Sequence, residues 1–277
     1  MEITFYGVRG TVAIPGESTN EFGGNTSCVH VKTAKGYDIV LDAGTGICGL
    51  ARKLLGTPLG KGQGELAIML SHTHLDHIQG FPFFIPVFIP GNKIRVFGGH
   101  NPNKSLRDIL DGQVLAPYSP IYSLSNFAAN LDIQELEPST QLQLDGVLVH
   151  HKELPHKAMP SIGYRIEEGG KSLVYMTDIE YEGGVISDAA LELAKEANIL
   201  IHDTQYGPED YESSKHEGHS SITSAIELAE KANAKNLVMF HYAPDYNDAK
   251  IKSLYDRFKE HPTVSIIPAQ EGLKLVL

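Results

Sequence analysis

The sequence predicts an α/β fold whose functional groups gather at the ends of strands, and three observations carry that expectation. Short apolar runs alternate with helix-periodic segments, first in one half of the chain and again in the second. Five of the apolar runs end on chemistry-bearing residues: Asp42, the stretch Ser71-His72-Thr73-His74-Leu75-Asp76-His77, Asp178, Asp203 and His241. No fixed-period repeat, low-complexity tract or linker composition divides the 277 residues, so one domain over 1–277 is expected.

Taken in order, residues 3–8, 26–33 and 37–41 read as the first strands, with Pro15-Gly16-Glu17-Ser18-Thr19-Asn20 a loop by composition. Asp42-Ala43-Gly44-Thr45-Gly46 closes the third strand, and its glycines permit tight turns into a short helix over 47–55. Asp42 reads first as a structural carboxylate bonded to turn amides, with a place near a metal as the alternative. Leu66-Ala67-Ile68-Met69-Leu70 is too short and too β-like for a helix and precedes the histidine-rich stretch. Prolines exclude a continuous helix over 81–90, which is either core packing or an apolar wall on which a nucleobase stacks. A strand over 93–97 follows, then a helix over 105–113 with Ser105 as its cap. Residues 115–130, rich in Tyr, Pro and Ser, read as an active-site lid or a long surface connection. Strands are expected over 142–150, 161–166 and 172–177, the last two joined at Glu168-Gly169-Gly170, then over 199–203, 237–241, 264–267 and 273–277. Helices are expected over 187–196, 221–232 and 248–259.

Three imidazoles and a carboxylate lie within the six residues His72 to His77. An extended backbone through Thr73 places His72 and His74 on one side, leaving Asp76 and His77 in the turn that follows. Neutral imidazoles and carboxylates suit a borderline divalent ion such as zinc, and four of them in one loop serve two ions.

This His-x-His-x-Asp-His pattern after a strand resembles that of the metallo-β-lactamase-fold hydrolases, with His72, His74, Asp76 and His77 matching position for position. Phe5-Tyr6-Gly7-Val8-Arg9-Gly10 and Gly23-Gly24-Asn25-Thr26-Ser27-Cys28 are similar to the phosphodiesterase branch, which includes tRNA 3′-end endonucleases and cyclic-phosphodiesterase-like proteins. The resemblance implies a four-layer αββα sandwich. It implies three further ligands: a distant histidine, matched by His156 with His150 and His151 as alternatives; a bridging aspartate, matched by Asp178; and a last histidine, matched by His241. One ion would then take His72, His74 and His156, the other Asp76, His77 and His241, with Asp178 between. A bridging hydroxide is the implied nucleophile, and Asp76 counts as catalytic as well as ligating. Glu217-Gly218-His219-Ser220-Ser221 resembles the branch's Gly-His-Ser motif, so His219 is the implied general acid, oriented by Asp203. His74 stands where redox relatives carry a carboxylate, which favours hydrolysis. Zinc is the first expectation; manganese and iron suit the same ligands.

Composition narrows the substrate. Lys and Arg number 23 against 34 Asp and Glu, a formal charge of −11, and no basic block offsets it, so a long nucleic acid is disfavoured. A small phosphodiester is expected, a cyclic nucleotide first, with tRNA 3′ processing as one alternative and lactamase- or thioesterase-like carboxyl hydrolysis as another. A metal-bound sensor without turnover is the non-enzymatic reading. Beyond substrate, the partners allowed are a second copy of the chain and no membrane: no run reaches the roughly 20 apolar residues a span needs. The N-terminus shows no leader pattern, and a cytoplasmic location is expected. Cys28 and Cys48 form neither a disulfide framework nor a metal spacing, and Cys28 reads as core. His202 is ambiguous, while His30, His100, His216 and His261 read as structural or exposed.

Overall fold

The computed structural model describes residues 1–137, 140–157 and 159–277. Strands β1 (Glu2–Gly7), β2 (Cys28–Lys32), β3 (Asp38–Leu41), β4 (Glu65–Met69), β5 (Lys93–Gly98), β6 (Asn130–Glu135) and the C-terminal β14 (Lys274–Val276) form one sheet, ordered β14-β1-β2-β3-β4-β5-β6. The other sheet holds β7 (Gln141–Leu144), β8 (Val147–Leu154), β9 (Ser161–Glu168), β10 (Lys171–Met176), β11 (Ile199–Asp203), β12 (Asn236–Phe240) and β13 (Ser265–Pro268), ordered β13-β12-β11-β10-β9-β8-β7. Each sheet changes from antiparallel to parallel pairing at its middle strand, β3 in one and β10 in the other. The two halves thus repeat one topology without repeating a sequence.

Helices α1 (Ile47–Leu54), α2 (Leu75–Ile78) and α3 (Leu106–Gly112) cover the first sheet, and α4 (Asp188–Ala194), α6 (Ile222–Lys231) and α7 (Asp248–Phe258) the second; α5 (Pro208–Tyr211) is a single turn. This is the expected αββα sandwich. Strands buried on both faces explain the unbroken apolar runs. In β3 and β4, Ile39, Leu41, Ala67 and Met69 enter the core between the sheets, whereas Val40, Leu66 and Ile68 pack beneath α1 and α3. Across the sheets, Phe5 meets Phe240 at 6.2 Å between ring centroids, and within the second sheet Tyr175 meets Phe240 at 5.7 Å. Among the described residues, no helix is long and apolar enough to cross a membrane.

Helix starts follow side-chain capping. Ser105, Ser187, Ser221 and Asn247 each accept the backbone N–H three residues on, at the heads of α3, α4, α6 and α7. Residues 81–90 form two short 3₁₀ turns, Phe81–Phe83 and Ile85–Phe88, as the prolines require. One expectation changes, and other elements go unanticipated. The strand expected over 142–150 is the hairpin of β7 and β8, turning at Asp145-Gly146 with both residues at positive φ, 50° and 86°. β6, at and beyond the end of the 115–130 segment, was not anticipated because Leu131 and Ile133 are its only apolar residues. The single turn α5 carries no periodicity to read.

Candidate metal centre

The chemistry-bearing strand ends converge on one edge of the stacked sheets. Asp42, Asp178 and His241 follow β3, β10 and β12 with φ of 60°, 54° and 63°. A left-handed backbone is uncommon for residues with a side chain, and such conformations concentrate at functional sites. Ser71 anchors the histidine loop: its N–H donates to Asp42 Oδ1 at 2.7 Å, and its carbonyl accepts from Ile162 N at 2.7 Å. The loop is thereby tied to both sheets before the first imidazole.

Two groups of donor atoms share Asp178, and a third set, Asp203, His219 and His241, overlaps the second at His241. In the first, His72 Nε2 lies 2.8 Å from His74 Nδ1, which lies 3.3 Å from His156 Nε2. Asp178 Oδ1 stands 3.8 Å from His72 Nε2 and 3.9 Å from His156 Nε2. In the second, His77 Nε2 is 3.1 Å from Asp76 Oδ2 and 3.2 Å from His241 Nε2. Asp178 Oδ2 stands 3.2 Å from both of these ring nitrogens. One carboxylate therefore turns one oxygen to each group.

The donor chemistry fits divalent ions. His77 Nδ1 lies 2.8 Å from Asp42 Oδ2 and donates its proton there, which leaves Nε2 a lone pair facing two carboxylates and a second imidazole. Acceptors that converge in a buried space call for a positive charge among them, either a proton on His77 or a divalent ion that takes its Nε2 lone pair. Burial disfavours a charged His77, yet Asp76, Asp178 and Asp42 outweigh it and push its pKa up. Asp178 is drawn the other way: burial favours its neutral form, but His241, His77 and His72 hold it well below the usual carboxylate range.

Outward nitrogens are mostly held. His72 Nδ1 meets Ser71 Oγ at 3.1 Å, and His156 donates from Nδ1 to the Gly218 carbonyl at 2.7 Å. Asp42 also accepts from the Tyr175 hydroxyl at 2.7 Å and from Ser71 Oγ at 2.8 Å. Asp42 is thus the structural carboxylate expected, bonded to a turn amide, but it also orients His77, a role the local sequence does not signal.

His219 and Asp203 come together as expected, with Nδ1 3.0 Å from Oδ2. Asp203 is fully buried and also accepts from Gln205 N at 2.9 Å. Burial lowers the basicity of His219, but the Asp203 charge and hydrogen bond, with Asp178 and Asp76 behind them, raise its pKa to about 9. With Nδ1 taken, Nε2 is the nitrogen left for the cleft of about 290 Å³ that His219 lines together with Thr11, Asp76, His156, Lys157 and Glu217. Asp76 is further fixed by Thr11 N, which donates to Oδ2 at 2.8 Å.

Of the alternatives to His156, neither reaches the site. His150 and His151 lie in β8, the first 3.6 Å from Glu167 and the second 3.2 Å from Thr140 Oγ1. His202 is buried in β11 with both nitrogens occupied, by Tyr181 Oη at 2.8 Å and the Asp203 carbonyl at 2.7 Å, and is structural. His30 pairs with Asp38 at 2.8 Å, His100 pairs with Glu135 at 2.6 Å, His216 is exposed and His261 half-buried. One contributor was not anticipated: Glu180, two residues past Asp178, accepts from His216 N at 2.6 Å and Gly218 N at 2.9 Å, pinning the loop that carries His219. An acidic residue in a loop gives no local sign of such a clamp.

An apolar groove of about 610 Å³ adjoins the centre. Thr73 and Leu75 line the groove while His74 and Asp76, between and beyond them, line the metal cleft, so one loop walls both. Ile78, Pro82, Phe83, Ile109 and Tyr118 form the rest of its apolar lining, with Phe83 and Tyr118 at 66% and 80% exposure. The proline-aromatic segment therefore serves as wall and as core at once, since Phe81 and Phe84 are buried.

Residues 37–242 match the family model of the beta-lactamase superfamily domain, and the chain belongs to that family. Among curated relatives, a Ribonuclease Z of Prochlorococcus marinus strain NATL1A is 36% identical over 77 residues, 28% of this chain and 23% of that protein's length. A Ribonuclease Z of strain MIT 9215 is 22% identical over 248 residues, 70% of this chain and 75% of that protein. Among solved structures, the metallo-beta-lactamase fold protein YhfI from Bacillus subtilis superposes with a TM-score of 0.73 at 19% identity, covering 99% of this chain and 98% of that one. Human tRNase Z, short form, superposes at 0.70 and 19% identity, covering 100% and 99%. The chain has the metallo-β-lactamase fold.

Proposed function

We propose that this protein is a dinuclear metal-dependent phosphodiesterase acting on a small phosphodiester, a cyclic nucleotide first among them. One observation carries the reading: two donor groups share Asp178, and the His219–Asp203 pair stands beside them over the same cleft. His72, His74 and His156 would hold one ion and Asp76, His77 and His241 the other, with zinc preferred and manganese or iron suited to the same ligands. Two such ions, when bound, would supply a nucleophile at neutral pH from water and offset the charge on phosphoryl oxygens.

The chain's own residues do the rest. Asp42 and Gly218 hold His77 and His156 so that their Nε2 lone pairs face inward. Asp76, fixed by Thr11 N, keeps a carboxylate at the cleft floor. His219, kept protonated by Asp203, gives its Nε2 proton to the departing oxygen, which is a poor leaving group without one. Lys157 at the rim offers a charge to a phosphate oxygen. The neighbouring groove is large enough for a base, and Phe83 and Tyr118 present faces on which it stacks.

A second reading, tRNA 3′ processing, draws on the Ribonuclease Z relatives. The net charge of −11 and the absence of a basic block argue against it as the primary activity. Carboxyl or thioester hydrolysis leaves His219 without a task. A panel of cyclic nucleotides, bis-p-nitrophenyl phosphate, precursor tRNA and a lactam, each with zinc and with manganese, tests the proposal. Turnover of the diesters above precursor tRNA and lactam is expected; turnover of the lactam alone, or of precursor tRNA alone, would reverse it.

A further inference from the structure

Among the histidines of the two donor groups, His241 stands apart. Its ring is fully buried, its Nε2 faces Asp76, His77 and Asp178, and its Nδ1 has no partner. The corresponding nitrogens of His72, His77 and His156 rest on Ser71, Asp42 and Gly218, and His74 is exposed. A second orphan lies close by: Gln205, 3% exposed, has an Oε1 that is buried without a donor. Both atoms border the same small space. A β-carbon placed on Gly10 would fall 2.5 Å from Gln205 Oε1 and 2.5 Å from His241 Nδ1.

The rest of Gln205 is already committed. Its Nε2 donates to the Tyr206 hydroxyl at 2.9 Å, and that hydroxyl donates to Glu217 Oε2 at 2.5 Å on the wall of the metal cleft. Its backbone N–H holds Asp203 Oδ1. The amide oxygen is therefore the end left for His241; the two atoms are not bonded in this arrangement, and each is the unpartnered group that the other lacks. Gly10 keeps that space open and is stitched in place by its N–H, which donates to the Tyr242 carbonyl at 3.0 Å.

We propose that Gln205 is a positioning residue of the metal centre, whose Oε1 accepts the His241 Nδ1 proton and so fixes the tautomer that turns the Nε2 lone pair to the second ion. The assignment rests on the two-ion reading of the site and is independent of the substrate. It also gives one residue a hold on both the ligand His241 and, through Asp203, the proton donor His219.

The test uses Gln205→Leu, which keeps the volume and removes the acceptor, and Gln205→Glu, which retains one. Zinc affinities of both sites are measured by competition with a chromophoric chelator, and cobalt(II)-loaded protein is read by its visible absorption. Gln205→Leu should keep the first ion and bind the second about 10–100-fold more weakly, with altered cobalt bands. Gln205→Glu should restore both. Two ions bound by Gln205→Leu with wild-type affinities and an unchanged cobalt spectrum would overturn the assignment. Equal weakening of both ions without rescue by Glu would overturn it too, as the mark of a general structural role. A wild type that binds a single ion defeats the two-ion reading itself, and this inference with it.

Discussion

At the scale of single residues, the reading separates groups that hold ions from one that moves a proton. His219 has Nδ1 on Asp203 and its other nitrogen in the cleft, while seven other side chains make up the two donor groups. His219→Ala is expected to retain both ions yet lose about 10²–10⁴-fold in turnover of a diester with an alkyl or ribose leaving group. A nitrophenolate departs without a proton, so an aryl diester should lose far less. Asp203→Asn should show a weaker form of the same selectivity, and equal losses on both substrates would remove the general-acid role. Much of this was legible in sequence because His72 to His77 are neighbours along the chain, where strand period and ligand chemistry suffice to read them. The support of the site was not. Asp42 beneath His77, Glu180 beneath Gly218 and Gln205 beside His241 are pairings between separate strands or loops, and a side chain carries no local mark of the distant group it holds.

At the scale of elements, the strand ends are held in register by loops with little freedom. Gly218 has φ of 92°, a conformation that strains any side chain, and a β-carbon there would lie 2.5 Å from His156 Nδ1. Gly218→Ala is therefore expected to displace His156 and reduce metal content, with backbone strain lowering thermal stability in the same variant; unchanged metal content would contradict the geometry. A cap remote from the donor groups should behave differently. Asn247 Oδ1 accepts from Lys250 N at 2.8 Å at the head of α7, so Asn247→Ala should cost about 1 kcal/mol in denaturant unfolding and leave metal content intact. Strands and helices with strong patterns were readable, including α6 and α7 to within a residue or two. At Asp145-Gly146 the dipeptide itself was the hairpin signal, with the buried face passing from Leu144 to Val147, and β6 went unread because Leu131 and Ile133 are its only apolar residues.

At the scale of the whole molecule, two halves with one topology bring β3 and β10 to equivalent positions and deliver Asp42 and Asp178 to the same edge. The four layers were legible only with the family resemblance, since alternating strands and helices fit several α/β architectures. With four buried carboxylates, Asp42, Asp76, Asp178 and Asp203, packed into that edge of a chain with charge −11, bound cations are expected to stabilise the fold. Chelation should lower the melting temperature, and added zinc or manganese should restore it; an unchanged transition would mean that no ion stabilises the native state. The central claim is that Asp178 joins two ion sites. Its most direct test is elemental analysis of catalytically competent protein beside the Asp178→Ala variant: two ions per chain with impairment of both sites in the variant is the predicted result, and one ion per chain in a fully active wild type would contradict it.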